Sequence, residues 1–336
     1  MNPSADAARE AERLAWAREA LDDRLALLSR ASVDAGFRSY WRSSGRGPSR
    51  IVMDSPPDKE DVRPWLRIRA LLEEGGVRVP HVLAEDLDRG LLLLEDLGAH
   101  TYLHAIDADN ADSLFDHAVT QLLRLQAIAP PAGFPAYDEA LLARELRLFD
   151  EWFLGRHLGL ALDCGAMEAL DGTYRRLIDA ALAQPQVLVH RDFMPRNLMP
   201  AEDGPAVLDF QDAVRGPIAY DVLSLFKDAF LSWPEARVAG WVDRYHARAV
   251  DAGLPVPPLE RFRRDADWIG VQRHLKVIGI FARLNHRDHK PKYLADVPRF
   301  FAYLDAVLPR YPEFAALQAL IEDTVKPAMA AHAESA

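Results

Sequence analysis

Three oxygen-bearing side chains lie close together in the chain between residues 190 and 209. Asp192 and Asn197 belong to the segment His190–Asn197, and Asp209 follows twelve residues after Asn197. A carboxylate can accept the proton of a hydroxyl group, and carboxylate and amide oxygens are the ligands that Mg²⁺ prefers. The set could therefore move a phosphoryl group from a nucleotide to an alcohol, with Asp192 as base and Asn197 and Asp209 as metal ligands.

Two short apolar runs flank this segment, Val187–Val189 before it and Ala206–Leu208 after it, and we predict that both are strands that present a loop. His190 stands at the end of the first run, where its ring would be largely buried. We therefore expect His190 to support the loop by hydrogen bonds, within a catalytic set of Asp192, His190 and Asn197. A lone His-x-Asp more often marks a turn with a satisfied polar pair, so the prediction depends on the complete set.

The rest of the chain divides into a mixed part and a helical part. Leucines at helical spacing predict an N-terminal helix over residues 1–31, and a helix over Val62–Glu74 is ended by Gly75 and Gly76. A hairpin is predicted at 33–53, strands at 79–85 and 91–94, and further helices at 113–128, 139–154, 166–183 and 219–230. The pattern predicts an α+β fold with a small mixed lobe at 32–97 and a mostly helical lobe at 98–336.

Composition limits the possible functions. The chain has 336 residues and a formal charge of -11, from 40 Lys and Arg against 51 Asp and Glu, which argues against a nucleic-acid face. Cys164 is the only cysteine, so no internal disulfide can form. Residues 1–31 contain no long apolar run of the kind found in signal peptides and membrane spans. We expect a cytoplasmic monomer without nucleic-acid or membrane partners.

The loop and the residues after it resemble the aminoglycoside phosphotransferase and protein-kinase-like superfamily, in which His-x-Asp-x-x-x-x-Asn precedes an Asp-Phe or Asp-Trp motif. Here these are His190 to Asn197 and Asp209-Phe210, followed by Gly216-Pro217-x-x-Tyr220-Asp221. The last stretch is typical of the small-molecule kinases, whereas protein kinases carry a glycine where this chain has Gln211. The resemblance implies a bilobal protein-kinase-like fold, ATP and Mg²⁺ as cofactors, and a small-molecule acceptor.

The same resemblance identifies Leu92–Gly98 as the hinge between the lobes, with the backbone near Glu95 and Leu97 on the adenine. Two features depart from the family pattern. No Gly-x-Gly-x-x-Gly occurs, so Ala31–Arg38 would have to cover the phosphates, with Gly36 as its permissive residue. Met53 stands where the family has a lysine on the third strand. Arg38, Lys59 or Arg42 could supply the positive charge instead, or the phosphates could depend more on Mg²⁺ and backbone N–H groups.

The acceptor is expected to bind in the helical lobe. Gln272, Lys276, Gly279 and Arg283 share one face of a predicted helix, and a row of cations bordering a cleft would suit an acidic or hydroxylated acceptor. The alternative is a solvated helix face. The predicted substrate-binding residues are Asp212, Gln272, Arg273, Lys276, Arg283 and Arg287.

Three stretches, Ile51–Asp61, Leu208–Ala213 and Lys276–Leu284, are similar to the bacterial anomeric sugar kinases of cell-wall recycling. That family phosphorylates N-acetylmuramate and N-acetylglucosamine at C1, and its Met-Asp-x-Pro-Pro stretch replaces the lysine strand. The resemblance implies a sugar substrate, whose lactyl carboxylate the cations of the helical lobe could bind. An aminoglycoside or amino-alcohol kinase, a non-catalytic nucleotide binder and a protein kinase are the alternatives.

Overall fold

The structure, a computed structural model, describes residues 3–32, 37–202 and 204–335. The chain forms two compact units: unit 1 comprises residues 1–121 and 196–211, and unit 2 comprises residues 122–195 and 212–336. Unit 1 contains a five-stranded sheet and unit 2 is mostly helical, which confirms the predicted α+β fold class. The predicted lobe boundaries after Ala31 and Leu97 stay predictions.

The sheet of unit 1 is antiparallel throughout, with strand order β1-β2-β3-β5-β4. Its strands are β1 (Leu27–Ser32), β2 (Ser39–Ser44), β3 (Arg50–Asp54), β4 (Val82–Asp86) and β5 (Leu91–Glu95). The predicted hairpin is confirmed from Ser39 onwards, since β2 pairs with β3. Residues 91–94 are buried on both faces of the sheet, as their continuous apolar character predicts.

The predicted N-terminal helix is wrong beyond Ala20. Helix α1 (Pro3–Ala20) ends there, Asp22 takes a left-handed conformation (φ 49°), and the chain then enters β1. Leu28 lies on this strand and packs against the cluster around Trp16, while Leu25 is 68% exposed. The leucines that suggested a single helical stripe therefore belong to different elements, because a strand also directs Leu28 towards this core.

Two arginines fasten α1 to the sheet. Arg9 Nη2 and Arg13 Nη1 each lie 2.7 Å from a carboxylate oxygen of Asp54, the last residue of β3. Arg13 also stacks over the Trp41 ring, with its Cζ 3.6 Å from the ring centroid. Asp54 is buried, and a buried carboxylate of this kind requires paired cations. Helix α1 is therefore packed against the sheet of unit 1.

Unit 1 is completed by short helices and a small hairpin. Helix α2 (Arg63–Glu74) matches its prediction and ends at Gly75, followed by Gly76 at φ 77°. Its Trp65 packs against Phe210, with ring centroids 5.1 Å apart. The remaining elements are α3 (Tyr102–Ala105), the start of α4 (Ala111–Ala127), β7 (Leu198–Met199) and β8 (Ala206–Val207).

Unit 2 is built around long helices and one two-stranded ribbon. The predicted strand at 187–189 appears as β6 (Gln186–Val189), and it pairs with β9 (Val214–Pro217), a strand that the sequence analysis missed. The helices are α5 (Glu139–Leu148), continued by a π-helical segment (Phe149–His157), α6 (Cys164–Leu182), α7 (Tyr220–Phe226), α8 (Glu235–Asp251), α9 (Leu259–Asp288), α10 (Val297–Val307), α11 (Ala315–Leu320) and α12 (Lys326–Ser335). Across the described ranges, no helix combines the length and apolarity needed to cross a bilayer.

Gly279 sets the distance between α9 and α5. A Cβ atom at this position would lie 2.2 Å from the carbonyl carbon and 2.3 Å from the carbonyl oxygen of Leu148. The helix face that carries Gly279 is therefore in contact with another helix of unit 2 at this level, whereas the sequence analysis placed the whole face along a cleft.

Replacing Gly279 with alanine is expected to lower the melting temperature of the protein. The new methyl group would meet backbone atoms, and overpacking of this kind costs about 1–3 kcal/mol. Gly240 of α8 is the matched control, since a Cβ there meets nothing within 4 Å. Gly240→Ala should raise the melting temperature slightly, because alanine favours helix by up to about 1 kcal/mol over glycine. Equal shifts in the two variants would contradict this account of the contact.

Candidate active site

A cavity of about 280 Å³ lies within unit 1. The sheet contributes Tyr40, Arg42 and Ile51, and the end of β5 with the residues that follow it contributes the run from Leu94 to Ala99. Asn197, Asp209 and Phe210 lie on its wall as well. The cavity thus contains both predicted hinge residues, Glu95 and Leu97, and both predicted metal ligands.

The β7–β8 hairpin brings the two predicted metal ligands together. Leu198 pairs with Val207, and the Leu208 N–H donates to the Asn197 carbonyl at 2.9 Å, so Asn197 stands beside the residue that precedes Asp209. Asp209 has a left-handed backbone (φ 64°) and accepts a hydrogen bond from Gln211 Nε2 at 2.7 Å. An amide oxygen and a carboxylate on one cavity wall form a hard-oxygen donor set, which fits Mg²⁺.

Glu95 is held through its side chain. Arg78 Nη2 donates to Glu95 Oε2 at 2.8 Å, and the His81 N–H donates to Glu95 Oε1 at 2.8 Å. Burial would raise the pKa of the Glu95 carboxyl, but these bonds outweigh it and lower the pKa below its usual range. The Glu95 N–H donates to the His81 carbonyl at 3.1 Å, so this backbone donor is used within the sheet.

The structure distinguishes the cations that could replace the missing lysine. Met53 is buried in β3, opposite Tyr40 and Leu92. Of the predicted substitutes, Arg42 is the one that lines the cavity within the described part of unit 1. Its guanidinium is tied to the hinge, with Nε 2.6 Å from Asp96 Oδ2 and Nη2 2.7 Å from the Gly98 carbonyl.

The two cations that the prediction placed on the nucleotide lie elsewhere in unit 1. Arg38 is nearly buried, with its Nε 3.3 Å from Glu60 Oε1, and Lys59 follows β3 in the turn that begins at Pro56. Their role in nucleotide binding stays a prediction. The predicted phosphate-covering segment includes Val33–Gly36, which lie outside the described residues.

The loop that carries the predicted base belongs to unit 2. The N–H groups of His190 and Arg191 both donate to the Asp221 carboxylate, at 2.6 and 3.0 Å. Complete burial raises the pKa of Asp221 to about 6, although these bonds and the nearby His190 act in the opposite direction. His190 is fully buried and its Nδ1 accepts the Asp192 N–H at 3.2 Å, an arrangement compatible with loop support.

The predicted substrate residues fall into different environments of unit 2. Gln272, Arg273 and Lys276 are buried on α9, whereas Arg287 is exposed and bound to Asp288 at 2.9 Å. Arg283 is half-buried, and its Nε has no hydrogen-bond partner in the described structure.

Two of the predicted substrate residues, Asp212 and Lys276, lie near the loop. Asp212 is exposed, and its carbonyl lies 3.4 Å from Arg191 Nη1. Burial would lower the pKa of Lys276, but the Glu145 carboxylate and Tyr220 outweigh it and raise this pKa, and the Asp192 charge acts in the same direction, so Lys276 lies within electrostatic reach of the predicted base.

Two residues of this region were missed by the sequence analysis. Asp221 was named as part of a motif but was given no role. An acid at the start of the fully buried helix α7 indicates a carboxylate with buried hydrogen-bond partners. Glu145 lies between Leu142 and Leu146 on the apolar face of α5, and a charged residue in such a position was the available signal. Arg191 Nη2 donates to Glu145 Oε1 at 2.6 Å.

This chain is similar in sequence to a known family of phosphotransferases. The model of the Phosphotransferase enzyme family matches residues 27–264. A Pseudomonas putida protein named N-acetylmuramate/N-acetylglucosamine kinase is 55% identical over 297 residues, covering 88% of each chain. A protein of the same name from Neisseria meningitidis serogroup B is 44% identical, covering 92% of this chain and 94% of its own.

Solved structures resemble the fold at much lower sequence identity. An ADP-bound aminoglycoside phosphotransferase has a TM-score of 0.58 and 15% identity, covering 87% of this chain and 97% of its own. The choline kinase LicA from Streptococcus pneumoniae has a TM-score of 0.59 and 13% identity, covering 87% and 98%. Similarity at this level supports the kinase-like fold and carries no information on the acceptor.

Proposed function

Because the chain belongs to the Phosphotransferase enzyme family, we propose that it is an ATP-dependent kinase of N-acetylmuramate and N-acetylglucosamine that acts in cell-wall recycling. The single observation that carries this proposal is the 55% identity, over 88% of both chains, to a relative with that name. The expectation of a small-molecule kinase, made from the loop and the Gly-Pro-x-x-Tyr-Asp stretch, agrees with it.

The loop residues supply the chemistry in this proposal. Asp192 accepts the proton of the acceptor hydroxyl. The hydroxyl oxygen attacks the γ-phosphorus in line, and ADP leaves without a phosphoenzyme intermediate. Asn197 and Asp209 would hold Mg²⁺, which neutralises charge on the phosphate oxygens when bound. Asp221 and His190 maintain the backbone direction of the loop. The hard-oxygen donors of the cavity support this division of roles.

Adenine is proposed to bind at the hinge end of the cavity. Glu95 contributes through its position in β5, because its carboxylate is bound by Arg78 and its N–H by His81. This leaves the backbone of Leu97 as the favoured contact for the base. Arg42 is the favoured replacement for the absent lysine, because it lines the same cavity.

We propose the anomeric C1 hydroxyl as the acceptor atom. An anomeric hydroxyl is more acidic than an ordinary alcohol, so it requires less of Asp192 as a base. Arg273 and Arg283 support an anionic acceptor, because two buried guanidinium nitrogens of Arg273 (Nε and Nη2) and one of Arg283 (Nε) have no hydrogen-bond partner in the described structure. Such nitrogens could pair with the lactyl carboxylate of N-acetylmuramate.

The function is tested with MgATP and a panel of N-acetylmuramate, N-acetylglucosamine, kanamycin and choline, followed by phosphorus NMR. The expected products are sugar 1-phosphates from the first two compounds only. Phosphate on kanamycin or choline would favour the aminoglycoside or amino-alcohol kinase alternative. A phosphate monoester at C6 would contradict the anomeric assignment, and no transfer to any acceptor would favour the non-catalytic alternative.

A further inference from the structure

Glu145 connects a buried ionic network to the loop of the predicted base. It lies on α5, is 5% exposed, and accepts a hydrogen bond from Arg191 Nη2 at 2.6 Å. Arg191 directly precedes Asp192 in the chain. A buried carboxylate that binds the neighbour of the base can influence where that base points.

Glu145 is itself held from several sides. The Tyr137 hydroxyl donates to its Oε2, and Lys276 Nζ lies 3.0 Å from its Oε1. Lys276 also donates to the Tyr220 hydroxyl at 2.9 Å, and the Tyr137 and Tyr220 rings meet edge to face at 5.2 Å. Burial would raise the pKa of Glu145, but Lys276 and Arg191 outweigh it and keep the carboxylate charged. The Glu145 carboxylate is thus charged and bound on several sides.

Arg191 is consequently fixed at both ends. Its N–H and that of His190 are bound by Asp221, while its guanidinium is bound by Glu145. Its backbone has φ 76°, a conformation that non-glycine residues adopt only when their surroundings enforce it. Since one peptide bond separates Arg191 from Asp192, fixing the former restricts the directions open to the latter.

We propose that Glu145 is a positioning residue for phosphoryl transfer, which acts through Arg191 to aim Asp192 at the acceptor hydroxyl. The inference rests on the proposed kinase function. Lys276, predicted from the sequence to bind substrate, is in this network a partner that holds Glu145 in place.

Glu145→Gln keeps the size of the side chain and removes its charge. A misplaced base lowers the rate of the chemical step, and an error of about 1 Å can cost roughly 10²-fold. We therefore expect kcat at saturating sugar to fall about 10- to 100-fold, with the KM for ATP within about twofold of wild type. Glu139→Gln, an exposed glutamate on the same helix, is the matched control and should retain the wild-type kcat.

A double-mutant cycle with Arg191→Met separates positioning from a general structural role. If Glu145 acts through Arg191, the double variant should have about the same kcat as Arg191→Met alone. Losses that multiply in the double variant, or a folded Glu145→Gln protein with the wild-type kcat, would overturn the inference. Failure of the proposed function is recognised separately, because the wild-type protein would then form no sugar phosphate.

Tyr137→Phe keeps the test decisive if Glu145→Gln does not fold. It removes the hydroxyl group that donates to Glu145 Oε2 and that also bonds Tyr220, and it leaves every charge of the network in place. A lower kcat with an unchanged KM for ATP supports the inference. A wild-type kcat in this variant counts against it.

Discussion

Replacing Asp192 with asparagine is expected to lower kcat on the sugar by roughly 10²- to 10⁴-fold, the usual contribution of a general base. The amide cannot accept the hydroxyl proton, whereas its size and its backbone bond to His190 Nδ1 are retained. The affinity for ATP should stay nearly unchanged, because Asp192 is proposed to contact the acceptor hydroxyl, and the residues that line the nucleotide cavity are unaltered. Steady-state kinetics and calorimetric titration with ATP measure the two quantities.

Asp179→Asn is the control for loss of one negative charge in the same unit. Asp179 is exposed on α6, so its replacement should leave kcat at the wild-type value. Full activity of the Asp192→Asn protein would refute the assignment of the base. A large loss of ATP affinity in that variant would instead assign Asp192 to nucleotide binding.

Replacing Asp209 with asparagine is expected to remove the dependence of ATP binding on Mg²⁺ and to lower kcat by roughly 10³-fold. A metal ion contributes several kcal/mol of charge stabilisation, and each 1.36 kcal/mol is tenfold in rate. Asparagine is preferred to alanine here because the backbone of Asp209 is left-handed at φ 64°, which asparagine tolerates. Calorimetric titration of ATP with and without Mg²⁺ gives the result directly.

Glu202→Gln is the matching control, since Glu202 is exposed in the turn that joins β7 to β8. This variant should keep the wild-type response to Mg²⁺. If Mg²⁺ strengthens ATP binding to the Asp209→Asn protein as much as to wild type, the metal ligand lies elsewhere.

The parts of the site that the sequence predicts well are those encoded within one short segment. Asn197 and Asp209 are twelve residues apart, and the β7–β8 hairpin between them is local, so their shared place on a cavity wall follows from sequence spacing. The apolar run at Leu91–Leu94 likewise predicts its own burial. In both cases the determining interactions involve near neighbours in the chain.

The contacts that sequence analysis misses join residues far apart in the chain. Glu145 and Arg191 are separated by 46 residues, and Arg191 and Asp221 by 30. The neighbouring sequence does not identify the cation that binds a buried acid. A charged residue on an apolar helix face indicates that a partner exists, and only the tertiary structure identifies it.

The N-terminal helix shows the same limit in another form. Apolar residues can also recur at helical spacing when a helix and the strand after it pack against the same core. Trp16 of α1 and Leu28 of β1 contact one core in this way. Hydrophobic periodicity alone does not separate the two cases, and the turn at Asp22 carries no strong breaker such as proline.

The attachment of α1 has a consequence for the order of events during protein synthesis. The helix is synthesised before the residues that hold it, since Asp54 is made 45 residues after Arg9, and the core residues Leu91 and Leu93 come later still. Most of the stability of a helix in a protein comes from the packing of its apolar face and not from helix propensity. On the nascent chain, α1 can therefore bury its apolar face fully only after β5 has been synthesised.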